Sequence, residues 1–285
     1  MAGIARPSVF IATTAPHLDL PLMKRLTYAL ITLALLPCGE ALAAVTPHPL
    51  FSEGAVLQRN KPVPIWGTAD DGEKVTVAIQ GQEAAGVAKD GMWLVNLKPL
   101  KAGGPFTLTI TGDKSDRPVE IQNVLVGEVW VSSGQSNMEF NLGRSIGAEE
   151  AIAASGDAML RLFTVPRKTS QTELTAINDD AFLLKAGRTV WKEAGPSSAP
   201  SFSAVAYYFG RDLRKALGVP VGLIHSSVGG TPAEAWTRRA ALESEPGLKN
   251  VFEEDTRAMA AYPALLERHQ AALEKHKAAV ADAKE

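Results

Sequence analysis

"VWVSSGQSNMEF", Val129 to Phe140, is the stretch on which the reading of this chain turns. Its first residues have the apolar, partly β-branched character of a strand. Gly134 breaks that pattern, and Gln135-Ser136-Asn137-Met138 follows where a helix can open. A hydroxyl between two amides at the mouth of a buried strand has two readings. It is a nucleophile, or it caps a helix, since Ser and Asn are preferred at that position. On this stretch alone both stay open.

The surroundings extend the pattern. "NVLVGEVWVSS" (Asn123 to Ser133) is nearly continuous in apolar residues, as in a parallel strand covered on both faces. "LRLFTVP" (Leu160 to Pro166) predicts a second strand. "AVAYYFGRDLRKALG" (Ala204 to Gly218) places Val205, Tyr208, Phe209, Leu213 and Leu217 on one helical face, with Gly218 ending the helix. "VPVGLIHSSVGG" (Val219 to Gly230) follows as another buried strand and a glycine turn. Strand, helix, short connection and strand predict an α/β layer fold. Such sheets place their sites at the carboxyl ends of the strands. Ser136 would stand at that edge, its backbone N–H near the positive end of a helix, where an oxyanion can be held.

"SSVGGTPAEAW" (Ser226 to Trp236) opens a second strand end into Gly229, Gly230 and Thr231. Glycines let the backbone approach a ligand, so a second N–H donor could stand here. The same residues also suit a tight turn before a helix, with Thr231 as cap and Pro232 in the first turn.

The segment before this region reads differently. From Ala44 to Gln122 the runs "VPIWGTA", "KVTVAIQG", "GMWLVNL", "FTLTITG" and "VEIQNV" are short and separated by turn residues. They predict a small antiparallel β-sandwich over 44–122, with Val75, Val77 and Ile79 on one face and Thr76 and Ala78 on the other. "DDGE" (Asp70 to Glu73) and "KDG" (Lys89 to Gly91) read as hairpin turns. No titratable cluster marks this segment, so an accessory, packing or sugar-facing role is expected. From about Arg238 the chain turns charged and helical, with Leu265, Leu266, Leu273 and Val280 as candidate contacts and loose packing expected. The α/β part, 123–285, has few strands, and is read as the N-terminal part of a longer domain.

The 285 residues can bury two ordinary cores. A formal net charge of -2 argues against a nucleic-acid binder. The single cysteine, Cys38, cannot form an internal disulfide, and no Cys/His metal spacing occurs. "MKRLTYALITLALLPCGEALA" (Met23 to Ala43) holds a basic start, a short apolar run and an Ala-x-Ala end, in the order of a secretory signal. The apolar run is too short for a spanning helix of about 20 residues. Residues 1–22 are then an upstream extension, and the mature chain is expected in the periplasm or outside the cell, without stable membrane association.

The segments "GEVWVSSGQSNMEF" and "VPVGLIHSSVGGTPAEAW" together resemble the first two signature blocks of the sialate O-acetylesterase branch of the SGNH hydrolases. The resemblance runs from about Leu50 to Trp236. It implies a three-layer α/β hydrolase domain of the SGNH type, incomplete here, preceded by the small β-sandwich. It implies Ser136 as nucleophile and the N–H groups of Ser136 and of Gly229 or Gly230 as the oxyanion hole. Gln135, Asn137 and Thr231 would touch substrate. The family's Gln-Gly-Glu-Ser/Asn-like block and its late Asp-x-x-His block are not found here, which puts the base and its orienting acid beyond residue 285. His225, at a strand end, has no carboxylate partner by spacing and reads as a structural histidine. His269 and His276 fall on the charged tail, and His48 precedes the β-segment. Glu128 reads as an ion-pair partner and Glu139 as a first-turn residue matching a helix dipole.

The resemblance implies a secreted serine esterase removing O-acetyl groups from sialic acid or related acetylated sugars. Acetylxylan or another polysaccharide remains open as substrate. An inactive remnant acting as a carbohydrate-binding module is the competing reading. No metal or cofactor is called for, and the expected partner is an acetylated glycan.

Overall fold

The computed structural model of the chain describes residues 45–168, 174, 177 and 190–282. The expected extension (1–22) and signal peptide (23–43), with Cys38, lie outside the described residues. In chain order the strands are β1 (Thr46–Pro47), β2 (Val56–Gln58), β3 (Val63–Thr68), β4 (Lys74–Ile79), β5 (Gln82–Val87), β6 (Met92–Leu97), β7 (Gly103–Gly112) and β8 (Val119–Gly134). A one-turn helix, α1 (Ser136–Glu139), and α2 (Ala148–Ala153) follow, then β9 (Asp157–Thr164), β10 (Lys192–Ala194), α3 (Ala204–Leu217), β11 (Val221–Ser227), α4 (Arg239–Glu243) and α5 (Lys249–Asp282).

β1, β3 and β6 form a small antiparallel sheet. The larger sheet runs β10-β9-β11-β8-β7-β4-β5, with β2 also beside β8. The join is β8, a strand of 16 residues. Its first half pairs antiparallel with β7, and its second half pairs parallel with β11. One strand therefore runs through the boundary expected at 122/123, and antiparallel pairing gives way to parallel pairing along its length.

Around the first half of β8 the alternation read from the sequence is realised. Val75, Val77 and Ile79 are buried, while Thr76 and Ala78 are only half-buried on the other face. They share a core with Ile65 of β3, Trp93, Val95 and Leu97 of β6, and Leu108 and Ile110 of β7, so both sheets contribute to one apolar interior. The turns differ from expectation. Asp70–Glu73 and Lys89–Gly91 each lead from one sheet to the other and do not join hairpin partners. A two-residue hairpin, β4 to β5, turns at Gln80 and Gly81, both at positive φ (52° and 72°). That is the two-residue geometry matching strand twist, and the sequence hides it because Gln80 is not a usual turn residue.

Around the second half of β8, β9, β11 and β8 lie parallel. One face carries Leu160, Leu162, Val221 and Leu223, packed with Ala206 and Tyr207 of α3. The other carries Phe163 with Val56, Leu125 and Trp191. Burial on both faces explains the unbroken apolar runs.

α3 starts where Ser203 Oγ accepts from the Ala206 N–H (3.2 Å) and ends at Gly218, in the left-handed conformation at φ 66°. Its buried residues are Ala204, Ala206, Tyr207 and Gly210. This corrects the expected stripe in part: Tyr208 and Leu213 pack against the core, but Val205 is 51%, Phe209 43% and Leu217 42% exposed. A Cβ on Gly210 would lie 2.5 Å from Leu223 Cδ1, so the helix docks on β11 through its small residues. Counting large apolar side chains selects the wrong face when the backbone itself makes the close approach.

In the tail, α5 is exposed along nearly its whole length, including Leu265 (53%), Leu266, Leu273 and Val280, as the loose packing expected. His269 and His276 are exposed on it. Among the described residues no helix is long and apolar enough to cross a membrane.

Candidate active site

The parallel strands end at a common edge. β11 is in register with β8 so that Ser227 faces Gly134, and with β9 so that His225 faces Thr164. Ser136, Arg167 and Gly229 each follow one of these strand ends within a few residues. Three loops consequently converge on one space, as the carboxyl edge of a parallel sheet requires.

Gly134 has φ 137°, a conformation that side-chain-bearing residues rarely adopt. The chain reverses there and sets Ser136 as the first residue of α1, with Gln135 in the cap position. Ser136 is exposed, and its Oγ donates to Gln135 Oε1 (2.9 Å). The helix cap makes no side-chain hydrogen bond, so Ser136 does not serve as the cap that its residue type permits. α1 is a single turn, shorter than the helix read from the sequence, and supplies little axial dipole. Asn137 is exposed beside Ser136.

The second loop lies against the first. A Cβ built on Gly229 would lie 3.5 Å from Ser136 Cα and would collide with Glu139 Oε2. A side chain there would displace that carboxylate from the Gly229 N–H, while the Ser136 backbone leaves room for it. The Gly229 N–H donates to Glu139 Oε2, and Arg167 Nη2 donates to Glu139 Oε1 in an ion pair. Glu139 thus joins the loops after all three parallel strands. Sequence reading assigned it only a dipole role and passed over Arg167. The available signal was the end of β9 at the same edge, two residues beyond "LRLFTV".

Gly230 has φ 78° and open space where a side chain would project. Thr231 Oγ1 donates to the Val228 carbonyl (2.7 Å) and accepts from Trp236 Nε1 (2.7 Å). It does not cap the short helical turn Ala233–Trp236, which follows Pro232 and has no side-chain cap. Its hydroxyl is committed to shaping the second loop.

His225 is buried, with Nε2 2.6 Å from Ser227 Oγ and its ring edge-on to Phe202. Burial first, and the Arg167 charge second, push its pKa below 6.5. Its Nδ1 is buried without a hydrogen-bond partner, and the ring is not bonded to Ser136. Among the described residues, Ser136 Oγ has Gln135 as its hydrogen-bond partner and no imidazole. Glu128 is the ion-pair residue expected: Arg59 Nε lies 2.7 Å from its carboxylate and holds its pKa below the usual carboxylate value. A cavity of about 280 Å³ opens beside the second loop, lined by Arg167, Ser226, Ser227, Val228 and His48 among others. Ser136 is not among its lining residues.

The mixed α/β chain thus presents an exposed serine at the carboxyl edge of its parallel strands, with a glycine loop beside it. Comparison with known proteins gives the particular relatives. No family model matches the chain. The sialate O-acetylesterase of Rattus norvegicus is 33% identical over 190 residues, which is 63% of this chain and 35% of that protein. The Homo sapiens sialate O-acetylesterase is 34% identical, over 63% of this chain and 36% of its own. The crystal structure of a carbohydrate acetylesterase from Xanthomonas citri matches with a TM-score of 0.63 at 36% identity, covering 72% of this chain and 45% of that one. The resemblance carried by Gly-Gln-Ser-Asn-Met and Gly-Gly-Thr is thus a similarity to sialate O-acetylesterases over most of this chain. The chain spans about a third of the length of the curated relatives it matches.

Proposed function

We propose that this chain carries the nucleophile and part of the oxyanion hole of an exported carbohydrate O-acetylesterase, acting on O-acetyl groups of sialic acid or related acetylated sugars. The observation that carries the reading is the apposition of Ser136 and Gly229 at the strand edge. Its support is the similarity to acetylesterases over 63% to 72% of the chain.

Ser136 Oγ attacks the acetyl carbonyl carbon, and the carbonyl oxygen gains negative charge. The N–H groups of Ser136 and of Gly229 or Gly230 donate to that oxygen. Gly229 can do so only when Glu139 releases its N–H, and the Arg167 pair gives the freed carboxylate a partner to rest on. The alkoxide of the sugar leaves with a proton, and water then hydrolyses the acetyl-serine. Both steps need a general base near Ser136. Gln135 and Asn137 flank the reacting centre and would contact the sugar. The β-rich half is proposed to be a distinct accessory module, and export rests on the pattern from Met23 to Ala43.

The experiment is acetate release from O-acetylated sialic acid and from acetylated xylan by the protein. Release from the former, lost in Ser136→Ala, is expected. Wild-type turnover in that variant would remove Ser136 from the reaction.

A further inference from the structure

The cavity beside the second loop takes no part in the attack by Ser136, which is not among its lining residues. Its volume of about 280 Å³ suits one small molecule, such as a single sugar unit. Two contacts tie its wall to the reacting centre. Val228 in the wall precedes Gly229, whose built Cβ would lie 3.5 Å from Ser136 Cα. Arg167, also in the wall, pairs with Glu139 at the end of the one-turn helix that begins at Ser136. A group held in the cavity is therefore a part of the substrate that does not react.

The wall has a definite chemistry. Arg167 and Lys168 stand in it with Ser226 and Ser227, and among the described lining residues there is no carboxylate. Val165, Pro166 and Val228 supply apolar surface, against which the C–H face of a sugar ring can rest. A guanidinium has five N–H donors in a planar fork, and the pair with Glu139 engages Nη2. Glu139 does not cancel the Arg167 charge on the cavity side. After burial, that charge is the second cause holding the His225 pKa below 6.5, and His225 bonds Ser227 in the cavity wall. His48 is the other titratable residue of the described lining, and burial favours its neutral form.

We propose that this cavity is a subsite for the carboxylate of an acidic sugar, with Arg167 as its principal partner and Lys168 beside it. The inference rests on the acetylesterase reading for what happens at Ser136, and it narrows that reading. An acetylated sialic or uronic acid fits, whereas a neutral xylose unit brings no charge for Arg167 and Lys168 to meet. A planar carboxylate meets the guanidinium fork through two parallel N–H···O bonds, so charge and orientation are read together. Holding the end that does not react presents the ester carbonyl to the nucleophile in one pose.

The test titrates the protein with N-acetylneuraminate, its methyl ester, glucuronate and xylose by calorimetry. N-acetylneuraminate should bind about tenfold or more tighter than its methyl ester, in which the same ring carries no charge. Arg167→Gln should bring acid and ester to within about twofold of each other. Arg167→Lys should recover part of the preference, and Lys168→Gln should lower it. A merely structural part for Arg167 would weaken acid and ester alike, so the ratio separates the two. Glucuronate binding as tightly as N-acetylneuraminate would extend the subsite to acidic sugars in general, and weaker binding would confine it to sialic acid; both uphold it. Equal binding of acid and ester, a ratio unmoved by Arg167→Gln, or no binding of either acid overturns it. The titration needs no turnover, so the two readings fail separately. Acid preference without acetate release would end the esterase reading and keep the subsite, and acetate release through Ser136 without acid preference would do the reverse.

Discussion

Trp93 and Trp130 lie on either side of one change of pairing. Trp93, on β6, is 1% exposed, inside a core to which both sheets contribute, and its indole N–H donates to the Thr68 carbonyl (3.1 Å). Trp130, on β8, is 44% exposed at a strand edge with Phe209 as its ring partner. Both stand in apolar, strand-forming sequence. The difference lies in closure. The antiparallel region brings its partner sheet from neighbouring sequence, through turns of a few residues. The parallel region needs crossovers, and a parallel strand finds its neighbour only where a distant segment returns.

The comparison breaks most visibly at Ser136. Under the proposed function, Ser136→Ala should lower acetyl-ester turnover by about 10⁴-fold or more. It should leave the melting temperature within a few degrees, because the hydroxyl is exposed and caps nothing. A stability loss of about 1 kcal/mol with intact turnover would instead restore the cap reading.

In the closed core the order of effects reverses. Trp93→Ala should cost about 3–5 kcal/mol of stability, read by denaturant unfolding, because a large cavity is left where relaxation is limited. Trp130→Ala should cost about 1 kcal/mol or less in the isolated chain, through its contact with Phe209. Equal costs would show that the second half of β8 is as closed as the first.

Glu139 sharpens the comparison from within the site. Glu139→Ala removes the carboxylate that joins Gly229 to Arg167. If that link sets the second loop for catalysis, kcat should fall by roughly tenfold or more, below the loss of an oxyanion donor. Glu139→Gln keeps an acceptor for the Gly229 N–H and should recover part of the loss. An unchanged kcat in Glu139→Ala would reduce the contact to loop packing.

The smallest effect is on acid stability. Burial lowers the pKa of His225 and of His48 below 6.5, so both are neutral in the fold and bind protons more readily when it opens. Their contribution is complete above 6.5 and is lost as pH falls through the lowered folded values. The melting temperature should drop on acidification below that point, and His225→Gln should flatten the drop. His48 lies in the β-rich half and His225 in the parallel half, so His48→Gln should flatten it as well. Identical profiles in wild type and both variants would assign the acid sensitivity elsewhere.

Local pattern and spatial neighbourhood divided the information in this molecule. The alternation at Val75, Val77 and Ile79, the strands around Leu160 and Leu223, the Gly218 stop and the strand-to-turn position of Ser136 were legible, because each is set by residues a few positions apart. The Ser136–Gly229 apposition was legible only through the resemblance of two segments, since no local rule brings positions so far apart in sequence together. The tertiary structure alone decided the rest. It placed Ala206 and Gly210 of α3 against β11, leaving Phe209 outside, because small residues allow a closer backbone approach than large ones. It carried β8 unbroken from one pairing to the other, because pairing depends on which strands arrive beside it. It turned Glu139 from a first-turn carboxylate into the link between Gly229 and Arg167, because charge and hydrogen bonding act across space, and sequence spacing does not record which loops meet.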